Sequence, residues 1–202
     1  MAGERAIVLG SARSNEGEVP TMARIPQITS KSDVRPEHGA IFDAIAESRG
    51  RVGGPFSVLL NSPQVAGRTA HLGSYIRFES TLSAADRELA IITTSREFDC
   101  GYEWAAHARL AAEAGVRQEA IDLIAGGGAL DALTEGEALI VRYGRELFRD
   151  HRVSEDTFAA ARARYGEQGV TELTATMGYY AMLACALNAF EVAPPPGAPE
   201  LP

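Results

Sequence analysis

Cysteine is scarce in this chain, with two in 202 residues. They stand far apart, at Cys100 and Cys185, which excludes a disulfide framework and fits a reducing, intracellular setting. Positive charge is outnumbered: 19 Lys and Arg against 27 Asp and Glu leave a net charge of −8 at pH 7. No block of Lys or Arg is present, so binding to a phosphate backbone, which depends on clustered cations, is not expected. No apolar run approaches the ~18 residues that a membrane helix requires. The opening stretch, Met1 to Glu18, lacks the apolar core and cleavage pattern of a secretory peptide. These absences predict a cytoplasmic protein that meets a small-molecule or protein partner, with no nucleic acid and no membrane. The alternating patterns of paired strands are missing too, which leaves an all-α fold. What is present is ordinary: 46% hydrophobic residues, enough for one substantial core.

Three segments follow from the pattern. Residues 1–35 mix Gly, Ser, Pro and charge without periodicity, and read as an extended or flexible arm that either wraps a neighbour or stays mobile. Within it, Ala6 to Asn15 looks like the first strand and phosphate loop of a flavodoxin-like reductase. No strand–loop–helix alternation follows, so a chain arm is the better reading. Residues 36–192 are helical throughout, in about seven helices that suit a bundle. Pro36 opens the first, which ends at Gly50. A short apolar turn runs from Phe56 to Leu60, and Ser62 and Pro63 open a helix with an apolar face at Val65, Thr69, Leu72 and Ile76. Ser83 with Asp86, and Thr134 with Glu137, have capping-box spacing. Ser154 opens a helix that ends near Gly166. The last helix, Val170 to about Phe190, is apolar on most faces and should be buried in the core or against another subunit, Cys185 with it. Residues 193–202 form a Pro-rich tail.

The chemistry concentrates in Glu88-x11-Cys100-x-x-Glu103-x3-His107. At ~100° per residue, Cys100, Glu103 and His107 fall within roughly 60° on one helix, so a thiol, a carboxylate and an imidazole share a stripe. Cys100 follows a break at Asp99, which puts its sulfur at a helix start, where exposed amides favour the thiolate. Glu103 opposes that charge or takes the thiol proton. His107 lies one turn further and can share a proton with Glu103. Glu88 joins the group if its helix packs alongside. Tyr102 and Trp104 are packing residues or pocket walls. A metal centre is not expected, because Glu103 and His107 are four apart rather than the three of a di-iron site.

The segment from Arg87 to Gly115 resembles the signature of the carboxymuconolactone decarboxylase family, which includes alkyl hydroperoxidase D. The resemblance implies an alkyl hydroperoxidase D-like helical domain assembled as a homo-oligomer, a trimer or hexamer, with the site near subunit contacts. In the hydroperoxidase branch a second cysteine stands where this chain has Glu103, and glutamate and histidine relay protons. Glu88, Cys100 and His107 match that pattern, while Glu103 removes the disulfide partner. A one-cysteine peroxidase of antioxidant type would then need an external thiol. The decarboxylase branch implies acid/base chemistry without a cofactor on a small carboxylated or lactone-type substrate. There His107, as imidazolium, would stabilise and protonate the enolate left by carbon dioxide, with Glu103 orienting it and Cys100 as a pocket wall or auxiliary donor. That reading leads, ahead of the peroxidase and of a non-catalytic oligomeric binding protein.

Overall fold

A computed structural model describes residues 23–202. The motif at Ala6 to Asn15 lies outside the described residues. Among them are eight α-helices and no strand: α1 Gly39–Arg49, α2 Pro55–Leu59, α3 Pro63–Phe78, α4 Ala84–Glu97, α5 Gly101–Glu113, α6 Gln118–Ala125, α7 Glu135–Arg149 and α8 Glu155–Ala189. None of them is long and apolar enough to cross a membrane.

The helix boundaries follow local chemistry. Thr134 and Glu137 form a reciprocal capping box at the start of α7. Ser83 accepts from the Asp86 amide, but the Asp86 carboxylate turns away to Arg164, so only half of that box forms. The break expected near Gly166 is there. Its φ of 67° and ψ of −178° suit glycine alone and divide α8 into two arms at a kink. Gly115, at φ 94°, turns the chain after α5.

α4 is the centre of the bundle. Every residue from Glu88 to Ser95 is buried, against α5 on one side and α7 and α8 on others. Such a helix must satisfy its polar side chains internally. Thr93, Thr94 and Ser95 do so by donating to the carbonyls of Leu89, Ala90 and Ile91, at 2.7, 2.9 and 2.9 Å. Leu89, Ile92, Ile140, Leu173 and Met177 fill the main core. A second cluster joins α1, α2 and α3 through Phe42, Ile45, Phe56 and Ala66. Glu172 of α8 clips the turn before α4, accepting from the Thr81 amide and hydroxyl at 2.7 Å each and from the Tyr75 hydroxyl at 2.6 Å.

Two expectations need correction. α3 buries Ala66, Thr69, Ala70, Gly73 and Ile76, leaving Val65 and Leu72 nearly half exposed. Small residues win that face because α1 and α8 approach closely: a Cβ on Gly73 would lie 2.1 Å from the Tyr179 hydroxyl. Cys185 is exposed rather than buried. The core side of α8 is taken by Leu173, Met177, Tyr180, Ala184 and Leu187, which leaves Gly178, Met182 and Cys185 outside. The described part of the arm lies on its own chain. The Arg24 amide donates to the Phe190 carbonyl and the Ile28 amide to the Ser57 carbonyl, both at 2.8 Å. The tail has no regular structure, and its Leu201 packs against the main core.

Candidate functional site

The Cys100 turn and α5 carry most of the residues singled out by sequence, but they divide them among three environments. Cys100 is the N-cap of α5, with φ −92° and ψ 89°, so it stands just outside the helical stripe. Its sulfur is fully buried among Val58, Ala184, Leu187 and Val192. Burial dominates there and pushes the thiol up to about 11, although the Glu103 and Tyr102 amides pull the other way. The lowering expected from a helix start is therefore outweighed. Trp104, one of the two expected pocket walls, packs instead with Leu89, Ala90 and Ala108 in the main core and does not line the cavity. One experiment separates the two thiols: at neutral pH, iodoacetamide should label exposed Cys185 well before Cys100, as peptide mass spectrometry would record. Faster labelling of Cys100 would contradict the burial argument.

Glu88, Glu103 and His107 do come together. The His107 Nδ1 lies 2.7 Å from a Glu88 carboxylate oxygen, a short bond between α5 and α4. Its Nε2 lies 3.4 Å from a Glu103 oxygen, at the limit of a direct hydrogen bond. All three side chains are buried. With Nδ1–H donating to Glu88, the ring orientation is fixed and Nε2 is turned toward Glu103, the arrangement by which a carboxylate positions a catalytic imidazole. Tyr180 meets the imidazole edge-on, 5.0 Å between centroids. Burial, reinforced by the Glu88 charge, raises the Glu103 carboxyl above the usual carboxylate range; His107 and Arg77 offset part of this. Two carboxylates around one imidazole in a dry setting favour holding one of them as the neutral acid. Glu103 is that one.

Glu103 and His107 open onto a cavity of about 230 Å³, also lined by Tyr102, Phe56, Tyr179, Tyr180 and Leu183. Tyr102 stands against Gly54, where a Cβ would come within 2.9 Å of its ring. Three arginines complete the lining: Arg49 from the end of α1, Arg51 from the loop that follows, and Arg77 from α3. Sequence reasoning missed all three, together with Tyr179 and Tyr180. No spacing links them to the Cys100 motif, and the two tyrosines read as core because they are indeed mostly buried.

The stretch 63–146 matches the model of the carboxymuconolactone decarboxylase family. No curated protein matches the chain. An alkylhydroperoxidase AhpD core structure, an uncharacterized peroxidase-related protein from Ralstonia eutropha, superposes with a TM-score of 0.71 at 15% identity, covering 88% of this chain and 95% of its own. A peroxidase-related protein from Silicibacter gives a TM-score of 0.66 at 15% identity, covering 89% of this chain and 97% of its own. A protein of unknown function from Agrobacterium tumefaciens gives 0.61 at 16% identity, over 68% of this chain and 94% of its own. Identities this low speak for the shared helical fold alone.

Proposed function

We propose, from the match of residues 63–146 to the carboxymuconolactone decarboxylase family, that the chain is a decarboxylase-like lyase of that family, working by acid/base chemistry on a small carboxylated or lactone-type substrate. The observation that carries this reading is the row Glu88–His107–Glu103 at the cavity wall, with the Cys100 thiol held protonated outside it. Loss of carbon dioxide from the substrate carboxylate leaves an electron pair on carbon, spread onto the neighbouring carbonyl as an enolate. The neutral Glu103 carboxyl then delivers its proton to that carbon and becomes a carboxylate. His107, fixed by Glu88, passes a proton from solvent back to Glu103, which closes the cycle without net oxidation or reduction. This exchanges the roles expected from sequence, in which His107 donated and Glu103 oriented it.

A one-cysteine peroxidase would need a reactive Cys100 thiolate. A fully buried thiol with a raised pKa works against it. A purely structural role is disfavoured because burying two carboxylates beside an imidazole is unfavourable for folding unless the group serves a purpose. The test is carbon dioxide release from a panel of carboxymuconolactone-type acids. Wild type should release it at least about a hundredfold faster than His107→Ala, the scale of a lost acid/base partner. Equal inertness of both proteins across the panel would sink the reading.

The same proposal includes a homo-oligomer. Val65, Leu72, Tyr75 and Phe78 on α3, with Met182 on α8, are large apolar side chains left at the surface. Light scattering should return a trimer or hexamer mass; a monomer at micromolar concentration would contradict it.

A further inference from the structure

Three tyrosines line the cavity, and their hydroxyls meet different surroundings. The Tyr102 hydroxyl stands over Gly54, 2.9 Å from the place a Cβ would take, and the Tyr179 hydroxyl is turned to α3, against Gly73 and beside Arg49. Tyr180 differs. It is 3% exposed, yet among the described residues nothing bonds to its hydroxyl, whereas the Tyr75 and Tyr143 hydroxyls have partners at 2.6 and 2.7 Å. Nor is that oxygen sealed by packing, as the unpartnered Tyr165 hydroxyl is, so it opens on the cavity. Burying a hydroxyl without a partner is unfavourable, and phenylalanine would pack at this position without that cost. The ring itself is held on two sides. The His107 imidazole meets it edge-on at 5.0 Å and 83°, and the Tyr179 ring does so at 5.3 Å and 81°. Contacts of this kind fix where the hydroxyl points. Burial, reinforced by Glu103 and Glu88 and offset in part by Arg77, holds the phenol far above its ordinary pKa, so it keeps its proton and acts as a donor. Tyr180 lies outside the stretch matched to the family, so that match does not assign it.

We propose that the Tyr180 hydroxyl is the donor that stabilises the enolate oxygen, and that the substrate therefore carries a carbonyl joined, directly or through one C=C bond, to the carbon that loses its carboxylate. The catalytic step rests on the decarboxylase reading; the oxyanion donor does not. As the bond to the carboxylate carbon breaks, its electron pair forms a C=C bond and the carbonyl pair moves onto oxygen, leaving neutral carbon dioxide and an enolate. Tyr180 donates a hydrogen bond to that oxygen and keeps its proton. The Glu103 proton then forms the new C–H bond, the pair on oxygen restores the carbonyl, and nothing is oxidised or reduced. His107 cannot fill the donor's place, because its Nδ1 faces Glu88 and its Nε2 faces Glu103. Glu103 cannot either, since its one proton goes to carbon. A fixed donor in a buried site acts on the transition state above all, where the oxygen has gained charge that the ground-state carbonyl lacks.

The test compares the full chain with Tyr180→Phe, which keeps the ring and its edge contacts and removes only the hydroxyl. On an acid that wild type decarboxylates, kcat should fall by about 10²- to 10³-fold, the scale of one lost oxyanion donor. Tyr143→Phe, whose hydroxyl pairs with Thr174 and does not line the cavity, should leave kcat unchanged. The second arm is binding of para-nitrophenolate, whose charged oxygen on an unsaturated carbon imitates the enolate and whose absorbance distinguishes it from the phenol. Tyr180→Phe should bind it about tenfold or more weakly than wild type, the scale of a lost hydrogen bond to a charged group. A kcat within about threefold of wild type in Tyr180→Phe would overturn the assignment, since an oxyanion donor is worth far more. Nitrophenolate bound equally by the two proteins, or by neither, would overturn it as well. Tyr180-dependent nitrophenolate binding without carbon dioxide release from any acid would leave the donor standing and remove the decarboxylase reading.

Discussion

Glu103→Gln should abolish most of the carbon dioxide release, by about 10²- to 10⁴-fold in kcat, the range assigned to a lost proton donor. The variant separates two roles that removal of the side chain would merge. Glutamine keeps the size of glutamate, and its amide can still hydrogen-bond the His107 Nε2, so an orienting role would survive the change with a loss under about tenfold. An amide cannot supply the proton, so a donor role would not. The same residue sets the expected pH profile. Burial raises the Glu103 carboxyl in the folded protein, so the neutral, donating form persists above the usual carboxylate range and kcat should fall as pH rises through the raised value. Stability follows the same sign. A carboxyl whose folded-state pKa lies above its unfolded value favours the folded state at low pH, and that contribution is lost as pH rises through the folded pKa. Glu103→Gln should flatten this dependence, so the inactive variant should match or exceed wild type in melting temperature on the alkaline side. Measuring kcat and Tm across pH for both proteins reads out the two effects together.

Glu97→Ala should destabilise the fold without touching the chemistry. Glu97 ends α4 with its carboxylate buried, accepting from Arg149 Nε and Nη2 at 2.6 Å each, while Arg145 Nε lies 3.7 Å away. Arg145 is itself mostly buried, and its donation to the Gly128 carbonyl at 2.7 Å ties the α6–α7 loop to this point. Burial and the neighbouring Arg149 charge already disfavour the Arg145 cation, with Glu97 as the offset. Alanine at 97 leaves two guanidinium groups side by side with no counter-charge. Breaking a buried pair by removing one partner costs about 3 kcal/mol or more, and the partial exposure of Arg149 places this case at the low end. For a chain of this size that corresponds to a fall in Tm of roughly 6–12 °C. Glu97→Gln should fall between the two. Activity well below Tm should be unchanged, because Glu97 does not line the cavity. A melting temperature within a degree or two of wild type would show that the pair contributes little.

The helices were legible in the sequence because their ends are local chemistry: the Thr134–Glu137 box and the breaks at Gly115 and Gly166 need only neighbouring residues. The pairing of His107 with Glu103 was legible from helical spacing. The side of α3 that turns inward was not, because periodicity reveals that a face exists without ranking a stripe of Ala66, Ala70 and Gly73 against one of Val65 and Leu72. The close approach of Tyr179, from far along the chain, decides it. Cys100 is the same case. A helix start favours the thiolate locally, and Ala184, Leu187 and Val192 cover it from α8 and the turn beyond. The arginines carry no local signature, since Arg49, Arg51 and Arg77 come together only around the cavity that the folded chain forms.

In the proposed mechanism Glu103 stands as a neutral acid beside His107, ready to donate. Infrared difference spectra of wild type minus Glu103→Gln, taken at neutral pH and again after alkaline titration, test it most directly. Wild type should show a carboxylic-acid C=O band at neutral pH that is absent from the variant and converts to a carboxylate band as pH rises. A carboxylate band already present at neutral pH, with no protonated band to lose, would contradict it.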